Sequence, residues 1–477
     1  MSIIHYLKLR KYAILSTIGI IVLYLSFAYD LERTDFIKLL SLWTGSFVLT
    51  YTLYRKSKGD FNFLFGTGIL FRILFLFAIP NLSQDFYRFV WDGRLLLEGY
   101  NPYLYVPDNL IAENGEIIAQ AEGIHRGMGA LSAGHFTNYP PLNQLCFALA
   151  AIFAGKNILG SVIVFRIIII LADIGILFFG KKLLEHLKLP VSNIFWYFLN
   201  PFIIVELTGN LHFEGVMLCF MVWSFYLLVK GKWQWSAVTL ACSISVKLMP
   251  LLFLPLFYQY FVKKQYLIPA CPAGKPNPSP QGERSHDGLK KLIGFYVVVG
   301  VTTLLLFLPF FDLQFINNYS ETVGLWFTNF EFNGSLYYVA REIGYGFRGY
   351  NEIQTIGQYT PFIVIFFVLA VAFFRKNKTA IQLITAMLLC LSFYYFVSTT
   401  VHPWYLATLL ILSIFTKFRF PLVWSLVIIL SYLAYGNEGN KENLWIIASE
   451  YSIVYGVFFW ELFFKKRTST SSLSLES

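Results

Sequence analysis

Charge is what this chain has least of. Asp, Glu, Lys and Arg together make up 13% of its 477 residues, against 57% hydrophobic residues. A soluble fold of this length has no interior large enough to hide so much apolar surface, so a water-soluble enzyme is excluded. Cysteine is also scarce, with five residues, Cys146, Cys219, Cys242, Cys271 and Cys390. They mostly sit inside apolar runs without metal-ligand spacing, so no disulfide framework is indicated, and they read as small hydrophobes. No glycine-rich phosphate loop stands out, and a soluble nucleotide-sugar site is not expected. A cleavable signal peptide is not expected either. The first apolar run, Tyr12–Tyr29, is long, lacks a small-residue cleavage site and reads as a first span.

Apolar runs are what the chain has in abundance, and a helical crossing needs roughly 20 such residues. The segments are Tyr12–Tyr29, Phe36–Tyr54, Phe61–Pro80, Leu142–Gly180, Val191–Leu207, His212–Leu228, Trp235–Met249, Pro250–Phe261, Leu292–Phe311, Thr360–Phe374, Ala380–Ser398, Pro403–Phe415, Pro421–Tyr435 and Leu444–Phe464. They predict an all-α polytopic transmembrane helix bundle of about 12–14 spans. The net charge of +10 is explained by orientation rather than by a nucleic-acid partner. With the N-terminus inside and each segment crossing once, 25 of the 37 Lys and Arg fall on the inner side. Leu142–Gly180 is too long for one straight span. It could instead cross twice, broken at Gly155–Asn157, with Trp235–Phe261 crossing once. That alternative places Lys181, Lys182 and Lys188 outside and is disfavoured.

The chain then divides into N-terminal helices (1–80), a large outer loop (81–141), central helices (142–264), an inner insertion (265–291), C-terminal helices (292–464) with a second outer loop (311–359), and an inner tail (465–477). The Pro-, Gly- and charge-rich insertion and the serine-rich tail read as disordered.

The first outer loop opens with "NLSQDFYRFVWDGRLLLEGYNPY" (Asn81–Tyr103). Asp85, Arg88 and Asp92 are spaced i, i+3, i+7, which places them on one helix face, with Tyr87, Trp91 and Arg94 on another. The aromatic and basic face suits the headgroup layer, so the helix should lie along the bilayer surface. Gly99 and Pro102 should end it. One reading is an interfacial anchor with a self-satisfied Asp–Arg pair. The other is a site, because charge close to hydrocarbon is costly, a carboxylate can take a proton from a hydroxyl, and an arginine can hold a phosphate.

"DFYRFVWDGRLLLEGYNPYLY" (Asp85–Tyr105) resembles the first large outer loop of polyprenol-phosphate-mannose-dependent mannosyltransferases, integral-membrane glycosyltransferases of the GT-C superfamily. "YPPLNQLCFALA" (Tyr139–Ala150), "NPFIIVELTGNLHFEGVML" (Asn200–Leu218), "SVKLMPLLFLPL" (Ser245–Leu256) and "HPWYL" (His402–Leu406) follow in the same order. The likeness is good over roughly Asn81–Leu256 and weak beyond. It implies a GT-C-like fold with interfacial helices in the outer loop. It implies an inverting transfer of a hexose, mannose first, from a polyprenyl-phosphate donor to a hydroxyl of a lipid-linked or cell-envelope glycan. Asp85 matches the family's acceptor-activating aspartate.

On that reading Asp85, Arg88 and Asp92 are the catalytic candidates. Arg94, Asn101, Tyr103, Tyr139, Asn210, His212, Glu214, Lys247, His402 and Trp404 are the substrate-binding candidates, and Asn143 and Gln144 could face the sugar. No cofactor is certain. A divalent Mg or Mn ion would draw on Asp85, Asp92, His212 and Glu214, although their spacing is not diagnostic. His212 and Glu214 equally read as a polar turn, Lys247 as a snorkelling lysine, and His402 and Trp404 as interfacial belt residues. The expected location is a bacterial inner membrane with the site on its outer face, in contact with membrane lipids and no nucleic acid. A flippase of lipid-linked sugars and a non-catalytic assembly subunit are the competing readings.

Overall fold

The structure is a computed structural model and describes residues 3–115, 117–263, 281–436, 439 and 441–464. Among these residues every element is helical, apart from one isolated bridge between Phe332 and Thr400. The first three helices are α1 (Ile3–Tyr29), α2 (Phe36–Ser57) and α3 (Phe61–Ile73). The first loop carries α4 (Asp85–Leu97), α5 (Pro107–Glu113) and α6 (Ala121–Ala133). The centre follows with α7 (Pro141–Ala154), α8 (Ile158–His186), α9 (Phe195–Phe198), α10 (Glu214–Val229), α11 (Trp233–Ile244) and α12 (Phe257–Val262). The remainder comprises α13 (Gln281–Phe307), α14 (Leu313–Thr328), α15 (Leu336–Arg348), α16 (Ile353–Phe374), α17 (Ala380–Val397), α18 (Leu406–Ile414), α19 (Phe420–Val427) and α20 (Leu444–Phe459).

Seven of the described helices are long and apolar enough to cross a membrane, or eight if the pair Val191–Phe198 and Ile203–Gly209, bent by 58°, makes one span. Six further apolar helices are shorter, between 10 and 17 residues, so the about 12–14 apolar segments expected from hydropathy form helices of unequal length, of which seven or eight reach that of a full crossing. Proline explains several of the short ones. Pro250 and Pro255 lack the N–H that an α-helix requires, and Met249–Leu256 winds as a 3₁₀ segment. Pro141, Pro403 and Pro421 each stand in the first turn of a short helix or 3₁₀ turn.

The 142–180 segment, expected to form one crossing, is broken in the structure. Gly155 adopts φ +55°, and the Asn157 side chain accepts from the Gly160 N–H at 2.9 Å, which caps a new helix. The 14-residue α7 therefore ends before the 29-residue α8 begins. The preferred orientation of α8 agrees with three contacts along α3. Lys181 Nζ lies 4.5 Å from the Phe61 ring, Arg72 pairs with Asp173 at 2.7 Å, and Arg166 donates to the Leu76 carbonyl at 2.9 Å. The two helices run antiparallel, with Lys181 at the end that holds Arg55, Lys56 and Lys58. At the same basic end Gln259 Nε2 donates to the Ala372 and Arg375 carbonyls, both at 2.7 Å.

Helix α13 begins at Gln281, so the last part of the expected 265–291 insertion is helical. The rest of that insertion and the 465–477 tail lie outside the described residues.

Candidate active site

Helix α4 divides into a free end and a held end. Asp85 opens its first turn, where a negative charge favours the helix dipole. Its backbone N–H donates to Ser83 Oγ at 3.3 Å. Its half-buried carboxylate takes no hydrogen bond and no ion pair among the described residues. Burial pushes the Asp85 pKa above the usual carboxylate value. Lys247 opposes that rise, Glu214 adds to it, and Arg33 opposes it.

Two turns on, Arg88 Nε donates to Asp92 Oδ1 at 2.8 Å, and Gln144 Nε2 donates to Asp92 Oδ2 at 2.9 Å. Arg88 Nη1 also donates to the carbonyls of Ser132 at 2.6 Å and His135 at 2.9 Å. Arg88 and Asp92 are both buried. The three residues expected to act together therefore part company: Asp85 is open, whereas Arg88 and Asp92 hold α4 to α7 and to the end of α6. Gly93 permits this packing, because a Cβ there would lie 2.2 Å from the Phe147 carbonyl oxygen.

The second face of α4 also differs from expectation. Trp91 and Arg94 do not meet a headgroup layer, because α6 covers them and both are buried. Arg94 Nη1 donates to the Ala119 carbonyl and, at 3.2 Å, to Gln120 Oε1. Gly99 takes φ +82° just past the helix end, as expected. Asn101 and Tyr103 serve the loop rather than the site. Asn101 Nδ2 donates to the Phe310 carbonyl at 3.0 Å, and the Tyr103 hydroxyl donates to the Tyr139 carbonyl at 2.6 Å. Tyr139 stays half-buried, with Lys247 Nζ 5.7 Å from its ring centroid.

A tight turn after Ile203–Gly209 supplies the facing wall. Leu211 adopts φ +63° there. Asn210 Oδ1 accepts from the Leu82 N–H at 3.2 Å, which ties the turn to the strand of chain leading into Asp85. Glu214 Oε1 meets Lys247 Nζ at 2.9 Å, and Lys247 stays about a quarter exposed. Asn143 belongs to the frame of this wall, since its Nδ2 donates to the Val246 carbonyl at 2.9 Å. Gln144, engaged by Asp92, does not face an open site either.

The third wall is a column of rings. His212 stacks on Trp404 at 3.9 Å and 15°, and Trp404 on His402 at 4.5 Å and 4°. His402 then lies 5.3 Å from Phe332, and Phe332 5.7 Å from Tyr435. The Arg33 guanidinium sits 3.3 Å from the Tyr435 ring centroid. Burial, with Lys247 and then Arg33, drives the His402 pKa down to about 3. Burial, Lys247 and His402 drive that of His212 well below its usual value. Both imidazoles are neutral, so the cations near Asp85 are Lys247 and Arg33. Arg33 has no ion-pair partner within 4.0 Å among the described residues, whereas Arg88 is paired with Asp92 and Arg94 is held by the Ala119 carbonyl and Gln120.

The residues considered for a divalent ion do not assemble around one point. Both Asp92 oxygens are engaged, Glu214 is engaged by Lys247, and His212 lies 3.9 Å from Glu206. Among the described residues no three of His, Cys, Asp and Glu form a metal-binding group.

A family model described as Alpha-(1->6)-mannopyranosyltransferase, N-terminal domain, matches residues 18–263, just over half of the chain. The chain belongs to this family. Its members include GT-C type membrane mannosyltransferases. Alpha-(1->6)-mannopyranosyltransferase A of Corynebacterium glutamicum is 22% identical over 237 residues, 45% of this chain and 45% of that protein. The protein of the same name from Mycobacterium tuberculosis is 21% identical over 182 residues, 38% of this chain and 33% of its own length. The match thus spans less than half of each of these relatives. The mannosyltransferase family region contains Arg33, Asp85, Arg88, Asp92, Glu214 and Lys247, while Phe332, His402, Trp404 and Tyr435 lie outside it.

Proposed function

We propose that this membrane protein transfers mannose from a polyprenyl-phosphate donor to a hydroxyl of a lipid-linked or cell-envelope glycan, by a single inverting displacement. The observation that carries the reading is the contrast on α4: Asp85 alone of its acid pair presents an unengaged carboxylate, and two cations stand near it. The acceptor oxygen attacks the anomeric carbon, its proton passes to Asp85, and the bond from that carbon to the phosphate oxygen breaks. Negative charge then develops on the leaving phosphate, where Lys247 and Arg33 stabilise it. On this reading Lys247 keeps the phosphate role expected of it, and Arg33 takes the share expected of Arg88 and Arg94, both held in other contacts. The relatives' names specify α-(1->6) transfer; if this chain forms the same bond, a single displacement requires a β-linked donor. The exposed edge of Tyr139 and the ring column offer faces on which a sugar can stack.

A polyprenyl tail dissolves in the bilayer, which suits a site framed by short helices among spans. The Lys and Arg bias supports a reading with the Asp85 end on the outer face of the membrane, here taken as a bacterial inner membrane. The test uses purified protein in proteoliposomes with radiolabelled polyprenyl-phosphate mannose and a synthetic mannoside acceptor. Wild type is expected to form a new glycosidic bond and Asp85→Asn to form almost none while inserting normally. Normal transfer by Asp85→Asn removes it as the base. Translocation of labelled lipid by wild type without any new bond gives the protein to the flippase reading instead.

A further inference from the structure

Three stretches of chain carry groups of the site: the α1–α2 loop with Arg33, the 76–85 segment ending in Asp85, and the 208–214 turn with His212 and Glu214. None of these stretches is a regular helix over its whole length, so helix geometry alone does not fix their spacing. Arg166 does. It lies within the long apolar helix α8 and is fully buried. All three of its nitrogens donate to backbone carbonyls: Nη1 to Leu76 at 2.9 Å, Nε to Thr208 at 2.8 Å and Nη2 to Gly209 at 2.9 Å. It has no carboxylate partner within 4.0 Å among the described residues. A charge kept in an apolar bundle with only carbonyls for company is costly, which argues for a use beyond packing.

The chosen carbonyls define that use. Thr208 and Gly209 end the bent helix, where orphan carbonyls collect and a cation is favoured. Leu76 belongs to the last residues of the third apolar run. One rigid fork therefore grips both segments and sets the distance between them; a lysine has three donors but gathers them on one atom, without the planar spread that holds Leu76 and Thr208–Gly209 at a fixed separation. Two asparagines extend the same tie. Asn210 Oδ1 accepts from Leu82, and Asn81 Nδ2 donates to Phe27 at 2.8 Å and Leu31 at 3.0 Å, which reaches the loop of Arg33.

We infer that Arg166 is a positioning residue that sets the separation between the Asp85 segment and the His212–Glu214 turn. It touches neither donor nor acceptor. Its effect on transfer rests on the function proposed above, but its effect on the two segments does not.

The test is Arg166→Lys in the full chain, read in two ways. Backbone hydrogen exchange, measured without substrate, is expected to rise in 77–85 and 208–214 together while α17 stays protected. In the proteoliposome assay kcat is expected to fall about tenfold or more, with the donor KM changed less than about twofold, because alignment rather than binding is lost. Should Arg166→Lys not insert, Arg166→Gln, which keeps neutral donors, carries the same readouts. Unchanged exchange in either segment, or exchange raised equally in α17, overturns the brace. A wild type with both segments protected that transfers no mannose overturns the function reading and leaves the brace standing.

Discussion

The first and third turns of α4 carry the same acidic side chain in opposite circumstances. Asp85 is half-buried, its carboxylate without a hydrogen-bond or ion-pair partner among the described residues; Asp92 is enclosed, with Arg88 on one oxygen and Gln144 on the other. A carboxylate whose lone pairs are all engaged is a strut, and one kept open near cations in a desolvated corner is a reagent. Proximity on one helix face does not make two acids a pair. What each meets from the neighbouring elements decides its work.

The contrast predicts separate failures. The largest is chemical: Asp85→Asn should lower kcat by about a thousandfold with Tm nearly unchanged, because the carboxylate takes no hydrogen bond or ion pair among the described residues. A Tm drop like that of an Asp92 variant would erase the distinction. Next comes Gly93→Ala, where the added methyl meets the Phe147 carbonyl and α4 must lift from α7. We expect a loss of about 4 kcal/mol or more in unfolding experiments, among the largest single-residue effects. Breaking the held end comes third. Arg88→Met or Asp92→Leu alone should each cost about 3–5 kcal/mol, since each leaves a buried charge unpaired. The double variant should recover part of this, and a cycle showing simple additivity would mean the pair is not coupled.

The smallest effect is a pH shift that sharpens the free end. The base must be ionised, and burial raises the Asp85 pKa, so transfer should fall as pH drops through a midpoint above the usual carboxylate range. Lys247 favours the anion, so Lys247→Met should move that midpoint up. Glu214 disfavours it, so Glu214→Gln should move it down. Rate profiles of kcat against pH distinguish the two directions.

Much of this was legible in the chain itself. Scarce charge and long apolar runs announce an all-helical membrane bundle. The i, i+3, i+7 spacing brings Arg88 and Asp92 into contact, and Gly99 ends α4. The break at Gly155–Asn157 is visible in the chain as well, as the alternative to a single crossing, and the structure has it. Hydropathy does not show which apolar segments reach full crossing length, because a run such as Met249–Leu256 winds as a short 3₁₀ segment around Pro250 and Pro255. Periodicity assigned Trp91 and Arg94 to the headgroup layer because it does not show that α6 folds back over them. Arg33 stands in the short "LERTD" loop, where a basic residue looks like any interfacial one; the distant Tyr435 ring marks it. Arg72, Arg166 and Asp173 are lone charges inside apolar runs, which is itself a signal in the chain and points to the braces.

The column of rings has a bearing on how such a protein can be cut or recombined. The carboxylate and both cations come from the first 263 residues, but the wall facing them is built from Phe332, His402, Trp404 and Tyr435. A fragment ending at the family boundary would keep every group proposed to react and lose the rings that enclose them. Conversely, exchanging the later half between relatives could alter which sugar chain is admitted while the bond-making groups stay untouched.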